Sequence, residues 1–270
     1  HVMRFDAYVG GVDAVAYPAL EMAAKGFTPL AVTDCLNFGN PEKNEIMSEF
    51  VASLKGMNSF CEAIDAPIIS GNVSFYNETE GKNITSTPST GLVGLRADKK
   101  SPPKDSFQNK GERVYLVRLP QIYFEGAINA DAKGLGEFNI SKLAYFVKAI
   151  EKMGVDTNVV ASRVVGKFGL AYALFRMGGS DVGIEVKSDV MTQLLSESRS
   201  LFSEVFYEVL FSVKPESDFL NLYKDSQYHI VELGNTLSEN LILGDKFNVK
   251  LAELRQIYNS GWEANLEGLA

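Results

Sequence analysis

Histidine is nearly absent from this sequence: His1 and His229 are the whole complement. A histidine-rich metal centre is excluded, and a Ser-His-Asp triad could rest on His229 alone. His229 stands in the alternating stretch YHIVEL, which reads as a strand carrying a structural histidine. Cysteine is as scarce. Cys35 and Cys61 sit in apolar surroundings, far from any CxxC spacing, so two free buried thiols are expected. That usage suits a reducing compartment, and the cytoplasm is the expected location. No run of about eighteen apolar residues occurs, so no membrane-spanning helix is expected. The first residues, HVMRFD, lack the basic stretch and long apolar run of a secretory signal. Basic residues are outnumbered, 26 Lys and Arg against 34 Asp and Glu, for a net charge of −8. A non-specific nucleic-acid binder needs the reverse balance, so nucleic acid is not an expected partner. Missing too are a Walker GxxxxGKS/T and a GxGxxG after a strand. Any ATP chemistry must therefore use another phosphate cradle.

What is present is enough for a folded enzyme. The 270 residues are 46% apolar, sufficient for one large domain or two ordinary ones with sizeable cores. Residues 12–25 have helical apolar spacing, with Pro18 expected to kink the helix or mark a new first turn, and Gly26 to end it. FTPLAVTD reads as a buried strand ending at Thr33-Asp34. Residues 48–64 read as an amphipathic helix. Strands follow at 67–70 and 91–97, which makes an α/β layer. Residues 98–111, DKKSPPKDSFQNKG, carry prolines, lysines and small polar residues, and mark the expected boundary. Two domains, 1–107 and 108–270, are the expectation. The second half reads as α+β. Strands are expected at 113–119, 182–186, 206–213 and 228–233, and helices at 140–153, 168–177, 190–198, 217–224 and 249–258.

Three clusters in the first half could carry chemistry. DAYVGG, residues 6–11, sets two glycines before a helix, which is either an anion-binding helix start or a plain tight turn. TDCLNFGNPE, residues 33–42, places Asp34 at a strand end, where a carboxylate can bind Mg²⁺ or position a nucleotide, or simply cap a turn. In PIISGNVSFYNET, residues 67–79, a buried-looking strand is expected to break at Gly71-Asn72. Gly71 allows close backbone approach to a ligand. Asn72, Asn77 and Ser74 offer neutral oxygens, amides and a hydroxyl. The plainer reading is a strand followed by a polar turn.

Taken together, LAVTDCLNFGNPEKNE, APIISGNVSFYNET and TSTPSTGLVG closely resemble the phosphoribosylformylglycinamidine synthase family, large (PurL-type) subunit. DAYVGG resembles that family's earlier DPYxGG block. The resemblance is strong over residues 6–96 and collinear beyond. There LFSEVFYEVLFSV and then HIVELGNT resemble an LFGE, strand and IGxV segment. It implies a two-domain, aminoimidazole ribonucleotide synthetase-like architecture: an N-terminal sheet-and-helix domain of α/β type and a C-terminal α+β sandwich. It also implies that the chain is the second of two such pairs, half of an ATP-dependent carbon–nitrogen ligase of purine biosynthesis. That ligase converts formylglycinamide ribonucleotide and glutamine-derived ammonia to the amidine, using ATP as substrate and Mg²⁺ as cofactor. The implied partners are the N-terminal half of the same subunit, a glutaminase subunit or domain in an amidotransferase complex, and the small-molecule substrate. A homodimer is the expectation for the isolated half, since related proteins pair through their N-terminal sheets.

Carried over residue by residue, the resemblance gives Asp34 and Gly71 to ATP, Asn72 to the metal and Ser74 to the nucleotide substrate. Tyr76, Asn77 and Glu78 match the motif in a supporting role. No catalytic residue is assigned here, because the family's His-Asn-His-Pro block has no counterpart in this sequence. In the second half the family's Ser-Asp-Gly-Gly-Leu becomes Gly166-Lys167-Phe168-Gly169-Leu170, and Glu208 stands where an arginine often follows LFGE. A cation in place of the aspartate repels Mg²⁺. The alternative reading is therefore a structural or assembly half with a degenerate nucleotide site in its second domain.

Overall fold

The computed structural model describes residues 2–98, 100–119, 139–179, 181–196, 200–204 and 207–267, without the side chains of 262–267. They form two compact units. The first comprises residues 1–102 and 119–155, and the second 103–118 and 156–270.

In the first unit a 3-10 turn, Val2–Arg4, leads into helix α1 (Ala7–Ala24). Asp6 caps it, its side chain accepting the N–H of Val9 at 3.0 Å. DAYVGG is thus neither a tight turn nor an anion site: the helix starts at Ala7, and Gly10 and Gly11 lie inside it. Their use is packing. A β-carbon on Gly11 would run into the Ser53 backbone of helix α2 (Asn44–Ile64), and one on Gly56 would run into Tyr8. Two glycines therefore let α1 and α2 cross in close backbone contact. Val12, Val15, Ala16, Ala19 and Leu20 are fully buried along α1, and the helix runs through Pro18. Each large aliphatic side chain so buried stabilises the fold by about 1.5–3 kcal/mol.

These helices cover one face of a three-stranded sheet. Strand β1 (Thr28–Asn37) is central, parallel to β2 (Ile68–Ser74) on one side. The two-residue strands β3 (Glu78–Thr79) and β4 (Lys82–Asn83) make a small hairpin, and β5 (Thr87–Leu95) runs antiparallel to β1 on its other side. The strand at 67–70 does not break at Gly71. Its pairing with β1 continues to Ser74, because the parallel register absorbs the glycine without interruption.

Helix α3 (Ile140–Gly154) joins the first unit, capped by Asn139, which accepts the N–H of Lys142 at 2.9 Å. The Arg96 guanidinium donates to the Lys25 carbonyl beyond α1 and, at 3.0 Å, to the Gly154 carbonyl ending α3. A single cut at 107/108 is therefore not how the units divide. Within the expected linker, Phe107 is buried and donates its N–H to the Met177 carbonyl of the second unit at 2.7 Å.

The second unit is built on a seven-stranded sheet. In chain order its elements are β6 (Arg113–Arg118), β7 (Val159–Val165), α4 (Gly169–Met177), β8 (Gly183–Val186), α5 (Ser188–Ser196) and β9 (Glu208–Val213). Then follow α6 (Phe219–Leu222), β10 (His229–Leu237), β11 (Asn240–Leu243), β12 (Phe247–Lys250) and α7 (Leu251–Glu267). The strand order is β12-β11-β8-β10-β6-β9-β7, antiparallel except between β8 and β11. Every residue of β9 is buried, so both of its faces are covered. On one face Val114, Leu116 and Leu210 meet Leu170, Leu174 and Leu194 from the helices. In addition, Tyr115 stacks on Phe219 at 5.0 Å and Phe219 meets Phe211 at 5.8 Å. The fold class is as expected: α/β in the first unit and α+β in the second. Phe206 of the strand expected at 206–213, and the end of the helix expected at 190–198, lie outside the described residues.

Candidate functional site

Strands β1 and β2 bring the four sequence-assigned residues onto one pair of neighbouring strands. Asp34 lies opposite Gly71, Cys35 opposite Asn72, and Asn37 opposite Ser74. Side chains alternate across a strand. Val32 and Leu36 are buried under the helices, so Asp34 and Gly71 share that covered face. Cys35, Asn37, Asn72 and Ser74 share the other, open face. The four residues are adjacent, but they are split between the two faces.

The Asp34 carboxylate fills the space that a β-carbon on Gly71 would need. It also accepts the backbone N–H of Asn72. Burial pushes the Asp34 carboxyl above its usual value of 3.8, and the Asn72 bond works in the opposite direction. Beneath it on α2, burial and then the Asp34 charge push the Cys61 thiol up to about 11. Cys61 is buried as expected, but Cys35 is exposed, because β1 turns it to the open face.

Ser74 sits in a well-fixed turn. The Asn77 side-chain amide donates to the Phe38 carbonyl at 2.9 Å, the Ser74 carbonyl at 3.0 Å and the Ser74 hydroxyl at 3.1 Å. The Tyr76 N–H donates to the Gly39 carbonyl at 2.9 Å, with Tyr76 itself left-handed at φ 58. Under the turn, Phe50 packs edge-on against Phe38 at 5.1 Å and Phe75 at 5.0 Å. Lys43 pairs with Glu78 at 3.1 Å beside it. Asn77 is thus the pin that holds TDCLNFGNPE to SGNVSFYNET. Its role was hidden in the sequence, where Asn reads as an ordinary turn residue.

The Asn72 carboxamide is exposed and has no hydrogen-bond partner among the described residues. Among those residues no group of three or more His, Cys, Asp or Glu side chains is placed to hold a metal ion. The residues present fit a Mg²⁺ that takes one neutral oxygen here and fills its shell with phosphate oxygens and water. Further along the open face, Thr87 and Ser89 of β5 stand opposite Asn37 and Cys35. This end is polar, whereas Ile69, Val93 and Leu95 are exposed apolar residues on the same sheet.

Residues 1–96 match the family model described as AIR synthase related protein, N-terminal domain. All four candidate residues fall within these 96 residues. Over nearly its whole length the chain is also similar to curated proteins named phosphoribosylformylglycinamidine synthase subunit PurL. One from Campylobacter hominis is 30% identical over 270 residues, covering 96% of this chain and 35% of that protein. One from Lactobacillus delbrueckii is 34% identical over 266 residues, covering 94% and 35%. The chain spans about a third of the length of the curated relatives it matches. Among solved structures, the HypE–HypF complex is similar with a TM-score of 0.67 at 15% identity, over 89% of this chain and 83% of that one. Thermotoga maritima PurL, solved in complexes with AMPPCP and with FGAR, gives TM-scores of 0.56 and 0.57 at 22% identity. Each covers 86% of this chain, and 33% and 31% of the respective PurL chains. At that identity these structures establish the fold, and the AIR synthase-like architecture expected from sequence is the one observed.

Proposed function

We propose that this chain is one half of an ATP-dependent ligase that makes formylglycinamidine ribonucleotide. In this reaction the formamide oxygen takes the terminal phosphoryl group of ATP and ADP leaves. Ammonia released from glutamine then adds to the activated carbon, and inorganic phosphate departs. The observation that carries this reading is the Asp34–Gly71–Asn72 crossing, in which a half-buried carboxylate sits in the space that a glycine leaves, beside an exposed carboxamide. Gly71 leaves room for the Asp34 carboxylate, and its backbone borders the ATP site. Asp34 serves the nucleotide by fixing the Asn72 N–H, Asn72 gives Mg²⁺ one oxygen, and Ser74 meets the ribonucleotide substrate. Mg²⁺, when bound, neutralises charge on the transferring phosphoryl group. The chain's own contribution is positioning.

The curated relatives are about three times as long as this chain, and the general base belongs to the part that this chain does not span. We place that part against the open face of the β2-β1-β5 sheet, where Val93 and Leu95 are exposed. A glutaminase supplies the ammonia. No helix among the described residues is long and apolar enough to cross a membrane. Two free thiols suit the cytoplasm.

The test is amidine formation by the subunit that contains both halves. Asn72→Ala and Ser74→Ala should each lower turnover by about tenfold or more while the fold is kept. Unchanged turnover in both would remove the assignment. The second reading, a non-catalytic half, is favoured by one feature only: Lys167 and Phe168 occupy the turn before α4. It predicts that both substitutions leave turnover intact.

A further inference from the structure

The Asn77 carboxamide is fixed in one orientation by what surrounds it. Its Nδ2 donates to the Phe38 carbonyl at 2.9 Å and to the Ser74 carbonyl at 3.0 Å. Carbonyl oxygens only accept, so turning the carboxamide over would set its Oδ1 against both of them. The backbone holds the same frame. The Phe38 N–H donates to the Ser74 carbonyl at 2.9 Å, and the Asn77 N–H to the Phe38 carbonyl at 3.3 Å. The same Nδ2 lies 3.1 Å from the Ser74 hydroxyl oxygen. With the amide so fixed, that oxygen accepts from Asn77.

The hydroxyl proton is held far less firmly. A serine hydroxyl has one proton to donate and two lone pairs. Among the described residues the proton has a single acceptor, Asn77 Oδ1, at 3.3 Å. That is long for an O–H donor, whose bonds centre near about 2.7–2.8 Å. It also runs to the carboxamide whose nitrogen already donates to the same hydroxyl, and one oxygen does not meet both atoms squarely. Serine hydroxyls often close turns on the local backbone. Here the Ser74 hydroxyl makes no backbone bond among the described residues, and Asn77 closes the turn instead. Ser74 is only half-buried, so a ligand can reach its hydroxyl.

We propose that Asn77 is a positioning residue that presents Ser74 as a hydrogen-bond donor to an accepting oxygen of the ribonucleotide. This rests on the reading of Ser74 as the residue that meets that substrate. Binding replaces the long Oδ1 contact by a shorter bond to the ligand, while Nδ2 keeps its hold on the hydroxyl oxygen. A hydroxyl that accepts one bond is polarised to donate the next more strongly. Asn77 therefore acts on the ligand through Ser74, without touching it.

The experiment is a double-substitution cycle in the subunit that contains both halves, read as KM for formylglycinamide ribonucleotide and separately for ATP. Ser74→Ala should raise the ribonucleotide KM about tenfold, the scale of one hydrogen bond. Asn77→Ala should raise it several-fold and leave the KM for ATP within about twofold. Asn77→Asp, whose carboxylate only accepts, should draw the Ser74 proton to itself and raise the ribonucleotide KM at least as much. In a Ser74→Ala background neither Asn77 change should raise it further. Effects that add would show that Asn77 acts through the shape of the turn, and would overturn the proposal. An equal rise in the KM for ATP would do the same. The 270-residue chain gives a readout besides activity. In its NMR spectrum the Asn77 side-chain amide should exchange slowly with solvent, and fast exchange would overturn the fixed orientation. A wild-type subunit that forms no amidine fails the ligase reading. The ribonucleotide is then titrated by calorimetry: binding weakened by Ser74→Ala and Asn77→Ala, but not further by the pair, upholds the positioning role, and absence of binding overturns it.

Discussion

The carboxylate of Asp34 occupies the volume that a β-carbon at position 71 would require, so Asp34 and Gly71 are complementary across β1 and β2. Gly71→Ala should destabilise the first unit by about 1–3 kcal/mol, the usual cost of overpacking. In an Asp34→Ala background the same change should cost little, because the obstructing group is gone. Urea unfolding of the four proteins in the cycle measures this coupling. Purely additive effects would contradict the pairing.

Protonation of Asp34 should be visible in stability. Burial raises its folded-state value above 3.8, so the folded state holds that proton more tightly than the unfolded chain does. The cost of ionising it is absent below the unfolded value and grows as pH rises through the folded one. Asp34→Asn should therefore gain stability relative to wild type between acidic and neutral pH. A difference that is flat with pH would refute the shift.

Asn77→Ala removes three donated bonds that tie the Ser74 turn to Phe38. The expected loss is about 1–2 kcal/mol, since the Phe38 and Ser74 carbonyls keep only their backbone donors. Amide exchange should rise at residues 74–77 more than elsewhere. Uniform protection across the chain would show that the pin is dispensable.

On its own, the chain should pair with a second copy through the open sheet. Val93 is 58% exposed beside Leu95, and contiguous apolar surface of this kind marks an interface. Val93→Asp should shift sedimentation towards the monomer. An unchanged oligomeric state would place the contact elsewhere.

The thiols should differ in reactivity. Exposed Cys35 should react with maleimide in the native protein. Buried Cys61, with its thiol pushed up to about 11, should react only after denaturation. Two fast thiols in the native state would contradict the burial of α2.

Much of the second unit could be read from the sequence. FYEVLFSV is apolar throughout one face, at Tyr207, Val209, Phe211 and Val213, and mixed on the other, where Glu208 and Ser212 flank Leu210; β9 is buried on both. Helix α3 ends within one residue of the 140–153 expected from the sequence. What was missed was short or locally ambiguous. Strand β7 lies between Asp156-Thr157-Asn158 and Gly166, and β11 and β12 meet at Gly244-Asp245, so the sequence does carry turn signals for them. Pro18 reads as a breaker, yet tertiary burial of α1 carries the helix through it.

The sequence by itself determined the two-part composition, the pairing of TDCLNFGNPE with SGNVSFYNET, and the residue types available for a nucleotide and Mg²⁺. The first and last follow from local patterning, which a linear chain displays; the pairing follows from the family resemblance. Only the tertiary structure decided how these residues are used. It kept β2 continuous through Gly71, because a parallel partner strand satisfies its backbone. It turned Asp34 towards the helices and Asn72 to the open face, because strand alternation acts only once one face is covered. It also drew α3 into the first unit through Arg96, a contact between positions 58 residues apart that no local pattern encodes.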